Sequence, residues 1–320
     1  MIRTVPLAGG IGAELHCIDL TRDLTAAERD AVWAAWIEYG LLLVRNPASD
    51  DAAQIRLSEM FGTLEPSATP QLNDPNNAVM MSLAYDPADP RGQFSQHYKV
   101  GGVDRAGWLG WHWDQAFMPT IVRGAVLRMT HPAASMGRTC FVDAIAAYDR
   151  LDDATKARIE GMKVVYRFNP DFASGQFGFP KDIVKLPKAR SSAAGGSAAD
   201  MDFPHVVHPM VITQQETGRK VLKLSPMHAC YVLGIDRQES DALLEELACH
   251  LGDPAYAYFH EWQVNDMLAW DNWRMVHGAE GVPLDCARSA RRTTISGDYK
   301  MGRYLDEALD RNRDVMRLVD

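Results

Sequence analysis

Apolar positions near the start of the chain recur at helical spacing. Val32, Trp33 and Trp36 follow Thr25 and Glu28, an S/T-x-x-E pair that caps a helix reciprocally, and Gly40 stands where a helix commonly ends. The pattern then changes to the continuous apolar run LLLV at 41–44, which reads as a buried strand. A second helix is expected from about Asp51 to Phe61, stopped by Gly62.

From about Val79 the chain turns to short runs of β-branched, aromatic and other apolar residues. They are VMMSL, VRGAVLRMT, TCFV, KVVYRF, VVHPMVIT, KVLKL, YAYF, DMLAW and RTTISGDY, most of them bounded by turn residues. ETGRK, around Gly218, predicts a hairpin turn. Helices are expected again near Asp143–Arg158, Gln238–Leu251 and Met301–Leu318. The pattern predicts an α+β fold, an antiparallel β core with helices packed outside, as one domain over 1–320. ARSSAAGGSAAD at 189–200 is small, polar and aperiodic. It reads either as a tolerated surface insertion or as part of a lid over a site, spanning roughly 170–205.

Composition narrows the function classes. The 320 residues are 47% hydrophobic, ample for a buried core, and 33 basic against 42 acidic side chains leave a net charge of −9. Such a balance disfavours a nucleic-acid backbone or an anionic membrane surface as partner. No apolar run is long enough to span a bilayer, and MIRTVPLAGG lacks the apolar region of a signal peptide. The five cysteines are scattered and form no C-x-x-C pair, which argues against a disulfide framework or a structural zinc site. A cytoplasmic protein with a small-molecule partner is the expectation.

The chemistry concentrates in WHWDQ and WDNWRMVHG. In an extended strand His112 and Asp114 point to the same face, so one imidazole and one carboxylate can meet a single cation, while Trp113 points away. His277, far downstream, supplies a second imidazole. Two histidines and a carboxylate on one side of a metal leave positions open for non-haem Fe(II) chemistry. Arg288 and Arg292 follow, the latter opening a β-rich run where a guanidinium offers a planar fork to a carboxylate. His205 and His208 form an H-x-x-H, but on a strand that spacing places them on opposite faces.

The segments WHWDQAF, GRTCFVDAIAAYDRL, LAWDNWRMVHGA and RRTTISGDY resemble, in order and spacing, the TauD/TfdA family of dioxygenases. The similarity extends more weakly to LTAAERDAVWAAWIEYGLLLVRN and FGTLEP, so it covers nearly the whole chain. It implies a double-stranded β-helix, a cupin-like jelly roll with flanking helices, and an Fe(II) cofactor with 2-oxoglutarate and O2 as co-substrates. His112, Asp114 and His277 match the iron ligands. Arg292 matches the arginine that holds the distal carboxylate of 2-oxoglutarate, Thr139 the threonine that bonds the same group, and Arg288 a second arginine near the other carboxylate. A carboxylate at Asp114 favours hydroxylation over halogenation.

For the primary substrate, Gln115, His97, Tyr98, His228 and Trp270 are candidates by position. The His and Tyr by which taurine enzymes hold the sulfonate do not occur in LEPSATPQLNDPNNAVMMSL, which argues against taurine. Phe94, Tyr98, Trp108 and Trp111 suggest an aromatic wall and an organic acid with an apolar body. The expected reaction is hydroxylation with release of succinate and CO2. Desaturation, epoxidation or cyclisation by the same centre is the alternative, and a non-catalytic metal- or ligand-binding jelly roll the competing class. Family members are often dimers or tetramers, which the sequence leaves open here.

Overall fold

The run Leu41–Val44 is wholly buried because both of its faces are covered. Leu42 and Val44 join Val32, Ala35, Trp36, Leu57 and Phe61 in a core beneath the N-terminal helices. Leu41 and Leu43 face the opposite way, into a core with Ala125, Leu127, Phe141, Leu268, Trp270 and Met275. The computed structural model describes residues 2–45, 50–68, 72–88, 96–187, 203–299 and 301–311.

The large sheet takes the order Arg3–Pro6, Ala13–His16, Leu41–Val44, Met267–Asp271, Gly124–His131, Arg288–Ile295, Asn77–Tyr85 and Asn73–Asp74. A smaller antiparallel sheet takes the order Tyr258–His260, Thr139–Asp143, Met275–Ala279 and Leu109–His112. The inner core draws side chains from both sheets. The chain passes from one sheet to the other through the turn 272–274, between Met267–Asp271 and Met275–Ala279. This is the double-stranded β-helix, with helices outside it. A further sheet, Ala229–Val232, Lys163–Tyr166, Val206–Pro209 and Arg303–Tyr304, shares its core with the leucine-lined face of helix Arg237–Leu251.

Local signals explain most element boundaries. Thr25 and Glu28 form the reciprocal capping box of helix Ala26–Tyr39, and Gly40 ends it at φ 70°, its N–H donating to Trp36 O. Helix Asp51–Ser58 starts where the Asp50 side chain accepts from Ala53 N–H. The helix expected over 143–158 is two, Ala144–Asp149 and Asp153–Ile159, because the Asp152 side chain accepts from Thr155 N–H and starts a new helix. VVHPMVIT also splits. Val206–Pro209 pairs with Lys163–Tyr166, whereas Val211–Thr213 leaves to pair with Lys220–Leu222 as the ETGRK hairpin. In place of the long terminal helix, the described residues form Glu307–Arg311, and 312–320 lie outside them. The segment 189–200 also lies outside the described residues. Among the described residues no helix is long and apolar enough to cross a membrane.

Candidate active site

Strand pairing brings the two histidines together. His277 lies directly opposite His112 where Met275–Ala279 pairs with Leu109–His112, and their ring centroids are 4.2 Å apart. Asp114 follows just past the strand end, its Oδ1 3.7 Å from His277 Nε2. Ligand atoms of His112, Asp114 and His277 lie within 4.8 Å of one another, close enough to share a cation, and all three residues are buried.

The protonation states suit a metal. His112 Nδ1–H donates to Gly110 O at 2.8 Å, which leaves Nε2 its lone pair. Burial holds both imidazoles below the usual histidine range, His277 strongly so, and each is further affected by charged neighbours. Burial alone would raise the Asp114 carboxyl, but Arg292 together with His277 and His112 holds it well below the usual carboxylate range. Two neutral imidazoles and one carboxylate are the forms in which these residues bind metal, and the set fits a ferrous ion with an open face.

The strand end at Asp271 and the turn 272–274 support this cluster. The Asn272 side chain accepts from Asp114 N–H at 2.7 Å and donates to Asp114 O at 3.2 Å and Val122 O at 3.0 Å. Asp271 accepts from Trp273 N–H, Gln214 Nε2 and Arg123 Nη2. Arg274 forms a two-pronged pair with Asp143 and donates to Ile37 O and Glu38 O at the end of the first long helix. Behind Trp113 lies Lys223, 1% exposed, its Nζ donating to Asn272 O at 2.7 Å and standing 4.2 Å from the Trp113 ring centre. Burial pushes its pKa down to about 7. The sequence drew attention to WDNW only as the lead-in to His277; Lys223, in an otherwise ordinary KVLKL strand, carried no signal.

The two arginines separate. Arg292 Nη2 donates to Asp114 Oδ2 at 2.7 Å, and its guanidinium lies 5.3 Å from the Trp270 ring centre. Arg288 is four residues back on the same strand, hence on the same face and about 13 Å away along the backbone. Its side chain passes Gly137, where a Cβ would lie 3.7 Å from Arg288 Cδ. No hydrogen bond or ion pair engages its guanidinium among the described residues, and burial pushes its pKa down to about 10. Thr139, two residues beyond Gly137, is 4% exposed and accepts from Trp262 Nε1–H at 3.1 Å. Thr139 pairs with Ala279, two residues past His277, so Thr139 and Arg288 share the end of the interior away from Asp114. Trp270 is buried against the His277 ring at 5.0 Å.

The remaining candidates scatter. Gln115 directly follows Asp114 and adopts the left-handed backbone at φ 59°, a strained conformation for a side-chain-bearing residue. The His228 ring meets the His112 ring edge-on at 6.3 Å and the Phe117 ring at 5.3 Å; its Nδ1 is buried without a hydrogen-bond partner among the described residues, and burial pushes its pKa down to about 3. Tyr98 packs with Val100, Trp108, Phe172 and Phe179 in a separate cluster, and His97 stands edge-on to Tyr85. Trp111 packs against Gly252, and Phe94 lies outside the described residues. The aromatic side chains that continue outward from His228 are instead Phe117, Phe168 and Phe203, with ring centroids 4.7–5.2 Å apart. Their sequence separation hid them: the three come from three different segments.

Comparison with known proteins agrees with this architecture. The family model described as taurine catabolism dioxygenase TauD, TfdA family, matches residues 3–294. The (S)-phenoxypropionate/alpha-ketoglutarate-dioxygenase of Sphingobium herbicidovorans is 28% identical over 92% of this chain and 94% of that protein. Pentalenolactone F synthase of Streptomyces arenae is 24% identical over 96% of this chain and 99% of that protein. The crystal structure of AAD-2 in complex with Mn(II) and N-oxalylglycine superimposes with a TM-score of 0.70 at 24% identity, covering 94% of this chain and 99% of that one.

Proposed function

This chain belongs to the TauD/TfdA family and is an Fe(II)- and 2-oxoglutarate-dependent dioxygenase, and from that premise we propose that it hydroxylates a small organic acid with an apolar, ring-bearing body. The observation that carries the reading is the run of Phe117, Phe168 and Phe203 leading outward from His228 beside His112. Aromatic walls of this kind favour flat apolar groups over a short, strongly hydrated sulfonate such as taurine. The relatives that act on phenoxypropionate and 2,4-dichlorophenoxyacetate are consistent with such a substrate.

In this reading His112, Asp114 and His277 hold the iron. When bound, the ferrous ion supplies oxidative decarboxylation of 2-oxoglutarate to succinate and CO2, coupled to transfer of one oxygen atom of O2 to the substrate. The protein's residues supply position. We assign the distal carboxylate of 2-oxoglutarate to Arg288 and Thr139, which exchanges the roles that family resemblance suggests for the two arginines. Arg292 is engaged by Asp114 and stands on the metal side, whereas Arg288, toward the Thr139 end, has no hydrogen-bond or ion-pair partner for its guanidinium among the described residues. Arg292 keeps Asp114 ionised and leaves its other nitrogens for the near carboxylate or the substrate's acid group. His228 offers a neutral hydrogen-bonding group at the entrance to the aromatic run, and Phe117 keeps water from that side.

The test begins with an anaerobic titration of the Fe(II)-loaded protein with 2-oxoglutarate, reading the visible charge-transfer band, with His112→Ala as the control that should lose it. Succinate release is then screened against aryloxy and alicyclic acids, linear alkyl sulfates and taurine. Stimulation confined to ring-bearing acids supports the proposal; preference for taurine or a linear sulfate ends it. A product gaining one oxygen marks hydroxylation, and one losing two hydrogens marks desaturation.

A further inference from the structure

The Thr139 hydroxyl is buried and has one contact among the described residues, the indole N–H of Trp262 at 3.1 Å. A threonine hydroxyl carries one proton and two lone pairs, and an indole nitrogen can only donate. The contact therefore uses a lone pair of Thr139 Oγ1. Its proton is left without an acceptor among the described side chains and backbone, an unfavourable state for a buried hydroxyl unless an acceptor arrives.

Trp262 is itself firmly held. Its ring meets the His260 ring edge-on at 4.5 Å, and His260 is the strand partner of Thr139. Asp266 closes the loop beneath, accepting from His260 Nε2, from Gln263 N–H and from Arg45 Nη1. With Nε2 of His260 donating, its Nδ1 accepts from the Tyr258 hydroxyl at 2.8 Å. The loop 260–266 thus presents the indole N–H to Thr139 from a frame with few alternative positions.

We infer that Trp262 is a positioning residue for the co-substrate: by occupying a lone pair of Thr139, it turns the Thr139 proton toward the distal carboxylate of 2-oxoglutarate. The inference rests on the assignment of that carboxylate to Thr139 and Arg288. Donation to Oγ1 also polarises the hydroxyl and strengthens the bond it gives onward. The indole is thus assigned no direct role toward the co-substrate and acts through the threonine.

The test measures dissociation constants of the Mn(II)-loaded protein for 2-oxoglutarate and for 2-oxovalerate, whose chain is equally long but ends in a methyl group. Trp262→Phe keeps an aromatic ring and removes the donor, at a half-buried position. It should weaken 2-oxoglutarate roughly fivefold, the scale of one hydrogen bond, and leave 2-oxovalerate unaltered. In a Thr139→Val background the same change should have no further effect. Equal weakening of both ligands, no weakening of either, or independent effects in the double variant would overturn the inference. If Thr139→Val alone leaves 2-oxoglutarate binding intact, the fault lies in the assignment of Thr139.

Discussion

The carboxamide of Asn272 spans both backbone groups of Asp114, accepting from its N–H and donating to its C=O. One side chain from the crossover between sheets thereby sets where the carboxylate stands relative to His112 and His277. Asn272→Ala leaves three buried backbone groups without this partner, including Val122 O. Its expected cost is about 2–4 kcal/mol of stability, read by chemical denaturation, with Mn(II) affinity falling by about tenfold or more. Unchanged Mn(II) binding in a folded Asn272→Ala protein would remove Asn272 from the support of the site.

Arg288→Met and Arg292→Met should separate cleanly. Loss of a charged double contact is worth about 2–3 kcal/mol, so Arg288→Met should weaken 2-oxoglutarate on the order of a hundredfold while Mn(II) affinity stays put. Arg292→Met should act on the metal. Without its guanidinium the Asp114 carboxyl loses the charge and the hydrogen bond by which Arg292 lowers it, and it rises, so Mn(II) binding should fail at a higher pH than in the parent. Mn(II) titrations across pH, and 2-oxoglutarate titrations at one pH, read the two effects. The reverse pattern would restore the distal carboxylate to Arg292.

Acid should destabilise the fold before the carboxylates titrate. Burial pushes the pKa of His208 down to about 3, and its Nε2–H donates to Met118 O. Because the folded value lies below the unfolded one, the unfolded chain binds the extra proton between pH 6.5 and about 3. Stability from this group is complete above pH 6.5 and declines as pH falls, by about 2 kcal/mol at pH 5. Denaturation midpoints should drop over that interval, and less steeply in His208→Gln. Equal slopes in the two proteins would exclude His208 as the cause.

Phe168 is half-buried at the outer end of the aromatic run. Phe168→Ala should lower kcat/KM for a ring-bearing acid by about tenfold, equivalent to about 1.4 kcal/mol of lost contact. A short aliphatic acid should be turned over as before. Equal losses for both substrates would show that Phe168 shapes the fold and not the pocket.

Much of this was legible in the chain. The capping box at Thr25 and Glu28, the stop at Gly40 and the buried apolar run at 41–44 depend on neighbours a few residues apart, and they appear where the pattern indicates. The broken helix at Asp152 was also encoded locally, as an aspartate three residues before Thr155, but apolar periodicity across it masked the signal. The aromatic wall was not legible. Tyr98 and Trp108 lie close to WHWDQ in sequence and Trp111 opens it, yet all three pack elsewhere, while Phe117, Phe168 and Phe203 gather from distant segments.

By itself the sequence determined the donor types and their spacing. H-x-D sets an imidazole and a carboxylate two residues apart, although the strand ends at His112 and Asp114 lies in the turn beyond it, and Arg288 and Arg292 share a face of one strand because their spacing is even. Only the tertiary structure decided which of those arginines meets Asp114, which indole bonds Thr139, and that Asn272 and Lys223 stand behind the segment 112–114. Those relationships depend on the register between strands far apart in the chain. Register is set by the summed burial of whole sheet faces, which no short stretch of residues carries.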